Sequence, residues 1–130
     1  MKLGQSNAIF RMLATKHGYM PTEPKHVYMA EYANACIDDY AATKTSMILF
    51  KDEVTEEMIA PWKEALVKFY GSLNKLLEEH KGKYIAGDKA SWADFACFQG
   101  FSITMYNDTC THEAMKATQI EILSQFDTLK

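Results

Sequence analysis

Gln5 and Ser6 stand where a short helix begins, and of all the residues in this chain they are the best placed to hold a ligand. A serine at a helix N-terminus gathers a hydroxyl, a backbone N–H and the positive end of the helix dipole, which suits a carboxylate or a phosphate. The same serine is equally suited to plain capping, with its oxygen taking one orphan N–H of the first turn. The residues alone leave both roles open. Other chemistry is poorly provided for. His17, His26, His80 and His112 form no pair at ligand spacing, so metal binding is not expected. Cys36, Cys97 and Cys110 are odd in number and contain no Cys-x-x-Cys, which argues against a disulfide framework and for a reducing, cytoplasmic setting. The seven tyrosines all lie beyond the first helix, and spacing promotes none of them to a catalytic role.

The elements that must position Gln5 and Ser6 follow from the apolar period. Met1 to Gly4 reads as the tail of a strand with nothing here to pair with. Ser6 is expected to cap a helix running to about His17 and stopped by Gly18. Its stripe of Ala8, Ile9, Met12 and Leu13 needs a covering surface. Tyr19 to Pro24 reads as an extended linker, because two prolines fix φ. A second helix begins near Pro24 with a mainly small apolar face and is expected to end near Lys44 or Ile48. Thr55 then caps a third, whose stripe of Met58, Ile59, Trp62, Ala65, Leu66, Phe69, Tyr70, Leu73, Leu76 and Leu77 is the clearest helical period in the chain. Pro61 predicts a kink or break near Ala60, and Gly82 a stop.

The stretch from Tyr84 to Phe98 organises the rest. Gly87-Asp88 is a turn dipeptide. Ser91 and Asp94 form a capping box with Asp in the usual Glu position, and Ala90 and Phe95 occupy the staple positions. The residues that follow are apolar on most faces, which marks a central helix running to about Tyr106. Asn107-Asp108 is the expected stop. A last helix starts at Thr111 or His112 with Ala114, Met115, Thr118, Ile122 and Phe126 in register.

At 130 residues the chain is one domain by length, and its 48% hydrophobic content supplies a core. A net charge of −3 with dispersed Lys and Arg argues against nucleic acid or an anionic membrane as partner. No apolar run is long enough to cross a bilayer, and the N-terminus has no signal-peptide pattern.

Two phrases resemble the glutathione transferases. Tyr84-Ile85-Ala86-Gly87-Asp88, with Ser91, Ala93, Asp94, Phe95 and Ala96, resembles the capping-box segment of that family's helical C-terminal domain. Leu3 to Ala14, containing Gln5-Ser6-Asn7-Ala8-Ile9, resembles a sigma-like member upstream of it. The resemblance covers nearly the whole chain. It implies that residues 1–18 are the end of a thioredoxin-like domain, 19–24 a linker and 25–130 the helical domain. The fold class is then an all-α bundle of the glutathione transferase C-terminal type, preceded by a remnant strand and helix. In the family the Gln-Ser pair holds the γ-glutamyl end of glutathione, so the resemblance assigns that role to Gln5 and Ser6. It makes glutathione a substrate, calls for no metal, and places Tyr28, Tyr32 and Tyr40 along a pocket for a small apolar electrophile.

The departures from the family pattern matter as much. The Tyr, Ser or Cys that activates the thiol, and the cis-proline beside the peptide, belong to the thioredoxin-like domain and match no residue here. The chain alone is therefore expected to be inactive. Cys36 stands where many members carry an Asp that reaches across a dimer; Asp38 and Asp39 follow it and are expected to be solvated. Asp127 replaces a customary proline. The rival expectation is a non-catalytic docking subunit, in which a dimer mate or another protein covers Ala8, Ile9, Met12 and Leu13.

Overall fold

The structure, a computed structural model, describes residues 3–106 and 112–129. The expected strand start at Met1-Lys2, the stop at Asn107-Asp108, the start at Thr111, the thiol of Cys110 and the terminal Lys130 lie outside them. Five α-helices make up the described chain: α1 Ser6–His17, α2 Pro24–Ala42, α3 Glu56–His80, α4 Trp92–Met105 and α5 Glu113–Leu123. Short 3-10 turns cover Thr45–Phe50 and Asp127–Leu129. No strand occurs among the described residues, and Leu3 and Gly4 carry no regular structure.

α1 starts one residue earlier than a Ser6 cap requires. Gln5 occupies the N-cap position and Ser6 is the first helical residue; no side-chain bond caps this end. Gly18 closes the helix in the left-handed region (φ 79°), its N–H reaching the Ala14 carbonyl. α2 opens with Pro24 at its first position, where a missing N–H costs nothing. It ends at Ala42, short of the expected Lys44 to Ile48, because Lys44 turns left-handed (φ 54°) and the chain tightens into the 3-10 turn.

α3 runs through Pro61 without the break that was one of the two expected outcomes there. Pro61 and Ala60 face solvent, so water can serve the carbonyl that loses its donor, while buried Trp62 and Leu66 just beyond hold the helix on its course. Most of the predicted stripe is core: Trp62, Leu66, Phe69, Tyr70, Leu73 and Leu76 are buried, while Met58, Ile59, Ala65 and Leu77 are partly buried. α2 adds Met29, Ala30 and Ala33, α4 adds Trp92, Ala93, Ala96 and Cys97, and α5 adds Met115 and Ile122. α4 is less enclosed than its composition predicts. Phe95 and Phe98 remain about half exposed, and Phe95 meets the ring of Tyr19 edge-on, with centroids 5.2 Å apart.

The capping box forms, and it does more than cap. Asp94 Oδ2 accepts the Ser91 N–H at 2.8 Å and the Ser91 hydroxyl at 2.9 Å. Asp94 Oδ1 accepts the N–H of buried Ile85 at 2.9 Å. The N–H of Trp92 donates to the Tyr19 carbonyl at 3.1 Å. The start of α4 thereby ties down both the turn before it and the segment that follows α1.

Candidate functional site

The chemistry that the sequence places at Gln5 and Ser6 sits at an exposed helix head with an unusual backbone. Gln5 has φ 65° and ψ 105°, outside the narrow left-handed well that a non-glycine residue tolerates. Such a conformation costs about 1–3 kcal/mol and persists only where its surroundings enforce it. The Gln5 carbonyl faces into the helix and accepts from Ala8 and Ile9 at 3.0 and 3.1 Å. Helix geometry leaves the N–H groups of Ser6 and Asn7 without an intrahelical acceptor. Gln5, Ser6 and these N–H groups therefore lie together at the positive end of the helix dipole, which favours an anion.

Close to that end, a polar clasp joins α1 and α2. Arg11 donates to Glu31 through Nε at 2.9 Å and Nη2 at 2.5 Å, and through Nη1 to the Asn7 carbonyl at 3.3 Å. Its guanidinium carbon lies 4.6 Å from the ring centre of Trp92, which is buried. Asn7 donates its amide to Asp38 at 3.2 and 3.4 Å, and Asp38 also accepts from buried Asn34 at 2.9 Å. The bond to Arg11 holds the Glu31 carboxyl below its ordinary value, and the bond to Glu31 raises Arg11 in turn. Asp38 was expected to be merely solvated; the structure makes it a bridge. Nothing in the sequence pattern announces the Arg11–Glu31 pair, since twenty residues separate the partners and the contact exists only once α1 lies across α2.

Of the three tyrosines named as pocket lining, Tyr28 and Tyr32 adjoin each other, while Tyr40 lines a small hollow with Cys36, Phe69 and Ser72. Tyr28 and Tyr32 share the outer face of α2 with rings 6.1 Å apart, and both are exposed. Tyr40 turns inward: it stacks on Phe69 at 5.3 Å, and its hydroxyl accepts from Trp62 Nε1 at 2.9 Å. Burial pushes the Tyr40 phenol up, and the Tyr70 phenol further. Cys97 is buried and its thiol is driven up by desolvation. Cys36 is half-buried; burial raises it against the opposing pull of hydrogen bonds with Ser72 and Tyr32. A phenol or thiol shifted this way is a poor nucleophile at neutral pH.

Three hollows adjoin α4. One of about 200 Å3 has an apolar lining and lies between Leu13, Tyr19, Trp92 and Phe95. Another of about 570 Å3 separates residues 18–23 from 86–91, with Glu23, His26, Asp88 and Lys89 on its walls. The third, of about 290 Å3, lies between Leu77, Ile85, Phe101 and Leu129. Among the described residues no His, Cys, Asp and Glu side chains gather as a metal site, and no helix is long and apolar enough to cross a membrane.

The described chain is a helical bundle built on one capped, largely apolar helix and fronted by a helix with a strained, donor-rich head. The sequence profile of the glutathione S-transferase C-terminal domain matches residues 38–129, and the chain belongs to that family. It is similar to human glutathione S-transferase A5, 26% identical over 95 residues that cover 72% of this chain and 43% of that protein. It is also similar to a glutathione S-transferase of Plasmodium yoelii yoelii, 25% identical over 130 residues, covering 98% of this chain and 60% of that one. The chain thus spans about half the length of these relatives. Among solved structures, NaGST-2 superposes with a TM-score of 0.67 at 23% identity, covering 99% of this chain and 66% of that one. Monomeric Na-GST-3 of the hookworm Necator americanus superposes with a TM-score of 0.65 at 23% identity, covering 98% and 65%. These two likenesses carry the fold.

Proposed function

We propose that this chain supplies one half of a glutathione transferase site: Gln5 and Ser6 hold the γ-glutamyl end of glutathione, and the helical bundle backs the pocket for a small apolar electrophile. The observation that carries the reading is the strained backbone of Gln5 at the head of α1, beside the N–H groups of Ser6 and Asn7 that helix geometry leaves open to an anion. Family membership supports glutathione as the molecule held there. In this reading residues 1–18 belong with a thioredoxin-like domain, 19–24 are the linker and 25–130 the helical domain. The setting is a reducing cytoplasm, which suits the free thiols of Cys36 and Cys97.

The chain by itself is catalytically incomplete in this proposal. Thiol activation needs a donor held beside the sulfur to stabilise the thiolate. Tyr40 and Tyr70 spend their hydroxyls on Trp62 and Gln119. The purified 130-residue chain is expected to pass through immobilised glutathione with little retention and to show no thiol transfer to an aromatic halide. Strong retention with turnover would overturn the incompleteness.

A second reading has its own observation. Met12 and Leu13 are 38% and 43% exposed, and Ala8 is exposed beside them, so the stripe on α1 stays open. A docking subunit would cover that stripe with a dimer mate or another protein. Sedimentation of the chain separates the two: a stable dimer abolished by Met12→Lys with Leu13→Lys favours docking, and a monomer favours the transferase half.

A further inference from the structure

We infer that Arg11 and Glu31 are positioning residues for glutathione, fixing the first turn of α1, and with it Gln5 and Ser6, against α2 and α4. This rests on the role proposed above for Gln5 and Ser6. Arg11 lies six residues along the helix from Gln5, about 9 Å by helical rise, so it acts through α1 rather than by touching the tripeptide.

The argument begins with what apolar packing leaves undetermined. α1 meets α4 through Phe10 and Ala14, and burial of such groups has little directional preference. It holds the helix down but allows it to turn about its axis or slide. The planar fork of Arg11 on the two oxygens of Glu31 is directional, at 2.9 and 2.5 Å. The face of Trp92 beneath the guanidinium supplies a fixed floor, because the N–H of Trp92 is itself bonded to the Tyr19 carbonyl. The third guanidinium nitrogen returns to the carbonyl of Asn7, inside the first turn. Asn7 reaches Asp38 further along α2, so the head of α1 is pinned at a second height. Two pins on α2 and a floor on α4 are what a strained Gln5 requires to persist.

Both partners are about one-third exposed, so their loss should leave the fold standing. The test titrates the full 130-residue chain, labelled with nitrogen-15, with S-methylglutathione, which cannot oxidise. Cysteinylglycine, which lacks the γ-glutamyl group, is the control. The parent chain is expected to show saturable shifts of the Gln5, Ser6 and Asn7 amides with the first compound and none with the second. Glu31→Gln should weaken that binding roughly two- to thirtyfold with the unfolding midpoint little changed. The charge-exchanged pair Arg11→Glu with Glu31→Arg restores the ion pair without the Trp92 floor or the bond to the Asn7 carbonyl and should regain only part of it. Unchanged affinity in Glu31→Gln overturns the inference and leaves the role of Gln5 and Ser6 standing. Lost affinity accompanied by collapse of the α1 amide spectrum makes the pair merely structural and also overturns it. Absence of saturable shifts in the parent chain removes the site and the inference together.

Discussion

Asp94 accepts the backbone N–H of Ile85 at 2.9 Å from nine residues further along the chain. Its other oxygen takes the N–H and the hydroxyl of Ser91. One carboxylate thus closes the turn and starts the helix, and both N–H groups lie on buried residues. Removing it strands two donors away from water, each worth about 1–3 kcal/mol. Asp94→Ala is therefore expected to destabilise the chain by about 2–4 kcal/mol. Ser91→Ala, which spares the bond to Ile85, should cost about 1 kcal/mol. Urea unfolding checks both, and a smaller loss for Asp94→Ala than for Ser91→Ala would sink the account.

That box was legible in the sequence because its parts are local: a serine, an aspartate three residues on and an apolar run behind them. The α3 stripe was legible for the same reason. What the sequence hid is of two kinds. Contacts such as Arg11–Glu31 and Asn7–Asp38 join separate helices and leave no period in the chain. Backbone choices, such as the left-handed Lys44 that ends α2 early and the positive φ of Gln5 that displaces Ser6 from the cap, fall on residue types with no strong preference for them. Phe95 and Phe98 were misjudged because an apolar residue on a helix says only that it favours burial, not that a neighbour arrives to provide it.

The Glu31 carboxyl carries a pH dependence with a definite sign. Its folded value lies below the ordinary 4.5, chiefly through the hydrogen bond from Arg11. A depressed carboxylate contributes stability that is present above its unfolded value and is lost as pH falls through the folded one. With both side chains partly exposed, the contribution is about 0.2–1 kcal/mol. Glu31→Gln should therefore be less stable than the parent at pH 7, and the gap should close in strong acid, once the lowered carboxyl of the parent is protonated. Paired urea titrations at the two pH values measure it. A gap that widens in acid would mean the sign is wrong.

Tyr40 was expected along a substrate pocket, and its surroundings predict a different consequence of losing the hydroxyl. Trp62 is fully buried, and its indole N–H has Tyr40 as its acceptor at 2.9 Å. Tyr40→Phe keeps the stacking on Phe69 and leaves that N–H unpaired, at about 1–3 kcal/mol. Tyr28→Phe, on an exposed ring, should change stability by less than about 0.5 kcal/mol. Thermal unfolding of the two variants side by side decides whether Tyr40 serves the core.

The turn ahead of α4 is glycine-dependent at two positions, and the reasons differ. Gly87 has φ 112°, where side chains are strained, and a Cβ there would stand 3.0 Å from His26 Nε2. Gly82 has an ordinary φ, but a Cβ there would meet the carbonyl oxygens of Tyr84 and Gly87 at 3.0 Å each. Those carbonyls belong to the reciprocal bonds between Tyr84 and Gly87, at 2.8 and 3.2 Å, so they cannot retreat without opening the turn. The His26 ring, by contrast, can swing away from Gly87 because Glu23, with which it pairs, is exposed. Both alanine variants should be destabilised by more than about 1 kcal/mol, the usual scale of the gain when a Gly→Ala change fits. Pairing with His26→Ala should recover part of the loss at Gly87, where the clash is with a side chain, and none at Gly82, where the clash is with backbone. Recovery at Gly82, or equal recovery at both, would show that the turn yields as a unit and that the close approach to its carbonyls is not what excludes a side chain.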